Sequence, residues 1–72
     1  MAARFLTLAD LAEQLAISMA QARALVRSGE LPAIQVGGRG QWRIEAAVLE
    51  DYIEQKYREN AERIEHLRMT TP

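Results

Sequence analysis

Leu8, Leu11, Ala12 and Leu15 recur at i, i+3, i+4 and i+7, the spacing of one face of a helix. The pattern predicts a helix over 8–15. Thr7 precedes it as an N-cap, and Asp10 at the third helical position gives the form of a capping box, with Asp in place of Glu or Gln. Ala16-Ile17 interrupts the periodicity. Ser18 caps a second predicted helix from Met19 to about Ser28, and Gly29 suits the C′ position, where φ is positive. Ala22 and Leu25 supply the inward face of this helix. Ala12 and Ala16 are small enough to let it cross the first one closely. Two short helices joined by two or three residues form a helix-turn-helix candidate.

Pro32 ends any helical continuation. Beyond it, Ile34 and Val36 alternate with polar or small neighbours, and so do Trp42 and Ile44 with Gln41 and Arg43. Between the two runs lies Gly37-Gly38-Arg39-Gly40, so the segment reads as a β-hairpin with a glycine-rich tip. The expectation is that Ile34, Val36, Trp42 and Ile44 face the helices while Gln41 and Arg43 face away. From about Ala46 to about Leu67 the pattern is helical again, with Val48, Leu49, Tyr52, Ile53 and Tyr57 on one stripe. Glu45, Glu50 and Asp51 near its start suit the helix dipole. Glu54/Arg58 and Glu59/Arg63 are spaced as i, i+4 ion pairs. Thr70 to Pro72 is expected to fray.

The chain has 72 residues, enough for one domain (1–72) with a marginal core. It has no cysteine and a single histidine, His66, which reads as a surface residue. Neither disulfides nor a metal site are expected. No apolar run suits a signal peptide or membrane span, so the expected location is cytoplasmic, nucleoid-associated when bound to DNA.

Charge is unevenly distributed. Residues 1–43 hold five arginines against three acids, whereas residues 44–72 hold seven acids against four bases. A polyanion is attracted to the middle of the chain and repelled by its end.

Catalysis requires a nucleophile, an acid–base pair or a metal in a cleft. The carboxylates here are spaced along a solvated helix face. The glycines lie between two strands with no Lys-Ser/Thr and no helix after them, which excludes a P-loop or dinucleotide fingerprint. No enzyme and no cofactor are expected.

At 100° per residue, with Ala22 pointing inward, Ser18, Met19, Leu25 and Val26 share the inner half of the second helix. Ala20, Arg23, Ala24 and Arg27 share the outer half. Two arginines over an alanine floor suit close approach to a DNA groove, where they reach guanine edges or phosphates. Gln21 flanks this face and is a lesser candidate for a phosphate or base-edge contact. At the hairpin, Arg39 stands between glycines. Gly38 and Gly40 would remove side chains that keep backbone amides from a phosphate, although at least one glycine serves turn geometry alone. The hairpin is thus a candidate wing over 37–43, and its nucleic-acid face comprises Arg39, Gly40, Gln41 and Arg43. Trp42 shares parity with Ile44 and is expected in the core rather than as a stacking platform.

The order helix-turn-helix, wing, helix resembles the excisionase-type, MerR-like winged helix-turn-helix domains of small bacterial DNA-binding proteins. The matching residues are "FLTLADLAEQLAIS" (5–18), "LVRSGELPAIQVGGRGQWRI" (25–44) and "LEDYI" (49–53). The resemblance covers about residues 5–57 and leaves 58–72 as a helical extension and tail. It implies a mainly α fold with a two-stranded wing and a long C-terminal helix. It also implies sequence-specific binding of double-stranded DNA, with the second helix in the major groove and the wing on backbone or minor groove. By that resemblance Ser18, Arg23 and Arg27 take recognition-helix roles, and Arg39, Gln41 and Arg43 wing roles.

The chain departs from the family at Gln21-Ala22-Arg23-Ala24, where arginine replaces an aromatic, so no base preference carries over. The effector-binding domain of full MerR regulators is missing, and no small-molecule effector is expected. The expected function is transcriptional regulation by occupancy, with two or more protomers setting site length. The alternatives are an excisionase-like architectural factor that bends DNA in recombination and a protein-interaction module acting through the acidic C-terminal helix. The stripe continuing through Asn60, Ala61, Ile64 and Leu67 is a candidate homodimer seam.

Overall fold

A computed structural model describes residues 4–70, with side chains described through Arg68. Of the residues expected to fray, Thr70 is helical, and 71 and 72 lie outside the described residues. The elements are β1 (Phe5–Leu6), α1 (Leu8–Leu15), α2 (Met19–Arg27), β2 (Ile34–Val36), β3 (Gln41–Glu45) and α3 (Ala46–Thr70). The architecture is a winged helix-turn-helix, mainly helical with a small antiparallel sheet.

Both helices of the pair start on reciprocal caps. The Asp10 backbone N–H donates to Thr7 Oγ1 at 3.0 Å, and Asp10 Oδ2 accepts from the Thr7 N–H at 3.1 Å. Ser18 and Gln21 repeat the arrangement at 3.1 and 3.0 Å. Each box satisfies two backbone groups that a helix start leaves without partners. α1 ends where Ala16 turns left-handed, at φ 55° and ψ 46°. The Ala16 N–H donates to Glu13 O and the Ile17 N–H to Ala12 O, which is the Schellman pattern. Ala16 is exposed. It therefore makes the turn rather than the close helix crossing expected of it; Ala12 and the fully buried Ala22 serve that contact. At the end of α2, Gly29 takes φ 82°, as its position after the helix requires.

The core comprises Leu6, Leu11, Ala12, Ala22, Val26, Leu31, Ile44 and Leu49. Leu8, Leu15, Leu25, Trp42, Tyr52 and Ile53 pack around it. Two contributors carry no periodic signal in the sequence. Leu31 is completely buried although it sits in the loop after α2. Leu6 is buried because β1 adds a third strand, giving sheet order β1-β3-β2 with Leu6 opposite Ile44. Two residues of pairing are too short to register as alternation.

The register corrects one expectation. Ile34 pairs with Arg43, Gln35 with Trp42 and Val36 with Gln41. Paired residues share a face of the sheet, so Ile34 and Val36 lie on the outer face with Gln41 and Arg43, opposite Trp42 and Ile44. Their exposures, 50% and 38%, agree. The alternation within each strand was sound. Which face of β2 turned inward depended on the loop length, and the four-residue loop 37–40 reverses it.

α3 begins directly after β3, and the Ala46 N–H donates to Arg4 O at 2.7 Å. Its first turn carries no acid, so Glu50 and Asp51 fall beyond the reach expected of them. Leu49 is buried and Tyr52 and Ile53 half-buried, but Tyr57 is 75% exposed and does not close the core. Lys56 fixes α3 to the loop after α2: its Nζ lies 3.4 Å from Glu30 Oε1 and 3.3 Å from Glu59 Oε2. The hydrogen bonds that it donates to Glu59 and then to Glu30 hold its pKa above the usual lysine value. The expected Glu54–Arg58 pair forms at 3.1 Å. Glu59 instead meets Lys56 and Gln55, while Arg63 donates to Asn60, so the expected Glu59–Arg63 pair is replaced. Twenty-five residues at helical rise span about 37 Å, and α3 gives the molecule its 57 Å long axis.

Candidate nucleic-acid interface

The outer face of α2 follows from the same cap that starts the helix. With Ser18 fixed and Ala22 and Val26 inside, Ala20, Arg23, Ala24 and Arg27 are all exposed. Together with Ser28 they border one shallow surface depression. Among the described residues, neither Arg23 nor Arg27 has an ion-pair partner, so both guanidinium groups can turn toward a ligand. Ser18 and Gln21 are exposed at the N-terminal end of the same helix, but both are engaged in the capping box. The Gln21 oxygen is committed to the Ser18 N–H, which leaves its amide nitrogen as donor.

A second depression, of about 500 Å³, lies between α2 and the hairpin. Arg23, Gly40, Gln41 and Arg43 line it together with Met19 and Trp42, and the start of α1 closes one side. Four of the eight residues picked from sequence thus meet around one concavity, and Arg23 belongs to both depressions. Met19, expected on the inner half of α2, is 44% exposed and forms part of this lining. The signal was present: Met19 lies one turn from Arg23 and so on its side of the helix. Trp42 does two things at once, packing half-buried against the core and presenting an edge to the concavity.

At the hairpin tip the glycines have distinct tasks. Gly37 and Gly40 have φ 77° and 63°, and the Gly40 N–H donates to Gly37 O at 3.2 Å, closing the turn. Gly40 is additionally held by its carbonyl, which accepts from Gln35 Nε2 at 3.1 Å; a Cβ there would stand 3.3 Å from that nitrogen. These two positions are explained by the turn itself. Gly38 has open space around it and no positive φ. Arg39 beside it is exposed at the apex, on neither depression.

Arg43 differs from the other arginines. It is half-buried, and its guanidinium donates to Trp42 O at 2.8 Å and to Gln41 Oε1 at 3.2 Å. It orients the Gln41 side chain and presents only its remaining N–H groups outward.

A capped helix pair, an exposed face of arginines over alanines and a glycine-tipped wing beside it define the winged helix-turn-helix class of DNA-binding domain. A family model for the helix-turn-helix domain, of the excisionase type, matches residues 5–57, and the chain belongs to this family. Neither a curated protein nor a solved structure matches the chain. Among the described residues no helix is long and apolar enough to cross a membrane.

Proposed function

We propose that the chain binds double-stranded DNA sequence-specifically and acts as a transcriptional regulator. In this reading α2 enters the major groove and the 37–43 wing follows the adjacent backbone or minor groove. The observation that carries it is that Arg23 borders both depressions, with Arg27 on one and Gly40, Gln41 and Arg43 on the other. Arg23 and Arg27 reach base edges or phosphates, Arg39 and the Gly40 region meet phosphates, and Ser18 and Gln21 supply a hydroxyl and an amide at the flank. Small side chains at Ala20 and Ala24 let the helix backbone approach the groove floor.

A salt titration on duplex DNA tests the reading. Each neutralised phosphate contributes a slope of about −0.9 in log K against log salt. Three arginines without partners give about −2.7, and Arg43 as a fourth brings it to about −3.6. Affinity that does not respond to salt overturns the proposal. A circular-permutation bending assay on the same DNA separates a regulator that occupies its site from an architectural factor that bends it.

A further inference from the structure

The second half of α3 is exposed throughout, from Glu54 to Arg68. Three large apolar residues lie on it: Tyr57 at 75% exposure, Ile64 at 45% and Leu67 at 57%. Their spacing is a heptad. With Tyr57 and Ile64 at a positions, Ile53, Asn60 and Leu67 fall at d. The stripe runs into an apolar groove where Leu15, Tyr52 and Ile53 from the folded body meet Tyr57. A solvated helix face has no need of such a seam continuous with the body.

We propose that this seam pairs two copies of the chain through antiparallel α3 helices. The flanking charges select both occupant and direction. In a parallel pair, g positions meet the following e positions of the partner, which sets Arg63 against Arg68 on both sides and forms no opposite-charge pair. In an antiparallel pair, e meets e and g meets g. Packing Tyr57 against Leu67 and Asn60 against Ile64 then places Glu54 of each chain beside Arg68 of the other, giving two opposite-charge pairs. One like-charge contact, Arg63 with its own copy, remains at the two-fold axis. Slipping by one heptad instead sets Lys56 against Arg63 twice. Asn60, polar at a d position, meets an apolar residue in either register, so the charges and not Asn60 select between them. In the favoured register Leu67 of each copy packs on Tyr57, at the edge of the other copy's apolar groove.

Sedimentation of the full chain without DNA tests the pairing, independently of the DNA reading. The expected mass is twice 8.1 kDa, returning to the single-chain value in Ile64→Glu with the CD spectrum of the folded chain retained. A single-chain mass at all concentrations up to about 1 mM overturns the proposal, as does an Ile64→Glu chain that still pairs. Direction is read from cysteines, of which the natural chain has none. A mixture of Glu54→Cys and Arg68→Cys chains should cross-link to each other on mild oxidation. Cross-linking of Arg68→Cys only to itself overturns the antiparallel arrangement.

Discussion

The arginines of α2 and the strand arginine of the wing are held in opposite ways. On α2, Arg23 and Arg27 are exposed and lack ion-pair partners among the described residues. On the wing, Arg43 is half-buried and bonded to Trp42 O and Gln41 Oε1. A side chain without partners loses rotamer freedom on binding but surrenders no protein contact. A bonded one is already ordered, yet must share or exchange its acceptors. In the proposed complex α2 therefore supplies most of the affinity, and the wing supplies orientation.

The largest effect should come from removing both helix arginines. Each bidentate contact with a guanine is worth about 1–3 kcal/mol, so Arg23→Ala with Arg27→Ala should weaken binding by roughly 2–6 kcal/mol. Helical CD should be unchanged, because neither residue touches the core. An affinity within threefold of the parent would invert the comparison and make the wing the dominant element.

Next in size are the substitutions that test how the wing is rooted. Ile44 is fully buried whereas Ile34 is half exposed on the opposite face. Ile44→Ala should cost about 2–5 kcal/mol of stability, and Ile34→Ala no more than about 0.5 kcal/mol. Equal losses in urea melts would mean that β2 turns Ile34 inward after all.

That pair also marks the boundary of what could be read in advance. The caps at Thr7/Asp10 and Ser18, the turn at Ala16-Ile17, the C′ glycine at 29 and the outer face of α2 rest on contacts three or four residues apart, and they stand as the sequence implied. Features set by pairing between distant segments were not accessible in the same way. The inward face of β2 depends on the register across the 37–40 loop, β1 exists only because β3 is beside it, and Leu31 is buried by elements on either side of its loop. The candidate site divides similarly. Arg23 and Arg27 were legible from helix angle alone. The bonding of Arg43 to Gln41 and the exposure of Met19 depend on where the hairpin docks.

A smaller effect separates the two wing arginines. Arg39 stands at the apex with no hydrogen bond or ion pair among the described residues, so Arg39→Ala should remove a charge-assisted contact worth about 1.5 kcal/mol and reduce the salt slope by about 0.9. Stability should not change. Arg43→Ala should instead lower stability as well as affinity, because the Trp42 carbonyl and the Gln41 side chain lose their donor. Gel-shift titrations read beside thermal melts distinguish the two. A purely structural Arg43 would leave the slope untouched.

The smallest effect concerns the turn that sets the angle between α1 and α2. Ala16 is the one described non-glycine residue with positive φ. A left-handed conformation costs an L-residue about 1–2 kcal/mol. Glycine removes that strain but adds about 0.5–1 kcal/mol of unfolded-state entropy. Because Ala16 is exposed and contributes its backbone to the cap, Ala16→Gly should stabilise the fold by roughly 0.5–1 kcal/mol, raising Tm by a few degrees in a chain of this size. DNA affinity should be unaltered. Gly29 supplies the opposite case at the end of α2, with φ 82° and open space around it, so Gly29→Ala should lower Tm through backbone strain alone. If Ala16→Gly lowers Tm instead, the hydrogen bonds from Ala16 and Ile17 to the end of α1 do not hold the turn by themselves. The methyl group of Ala16 would then be restricting the interhelical turn before α2 docks.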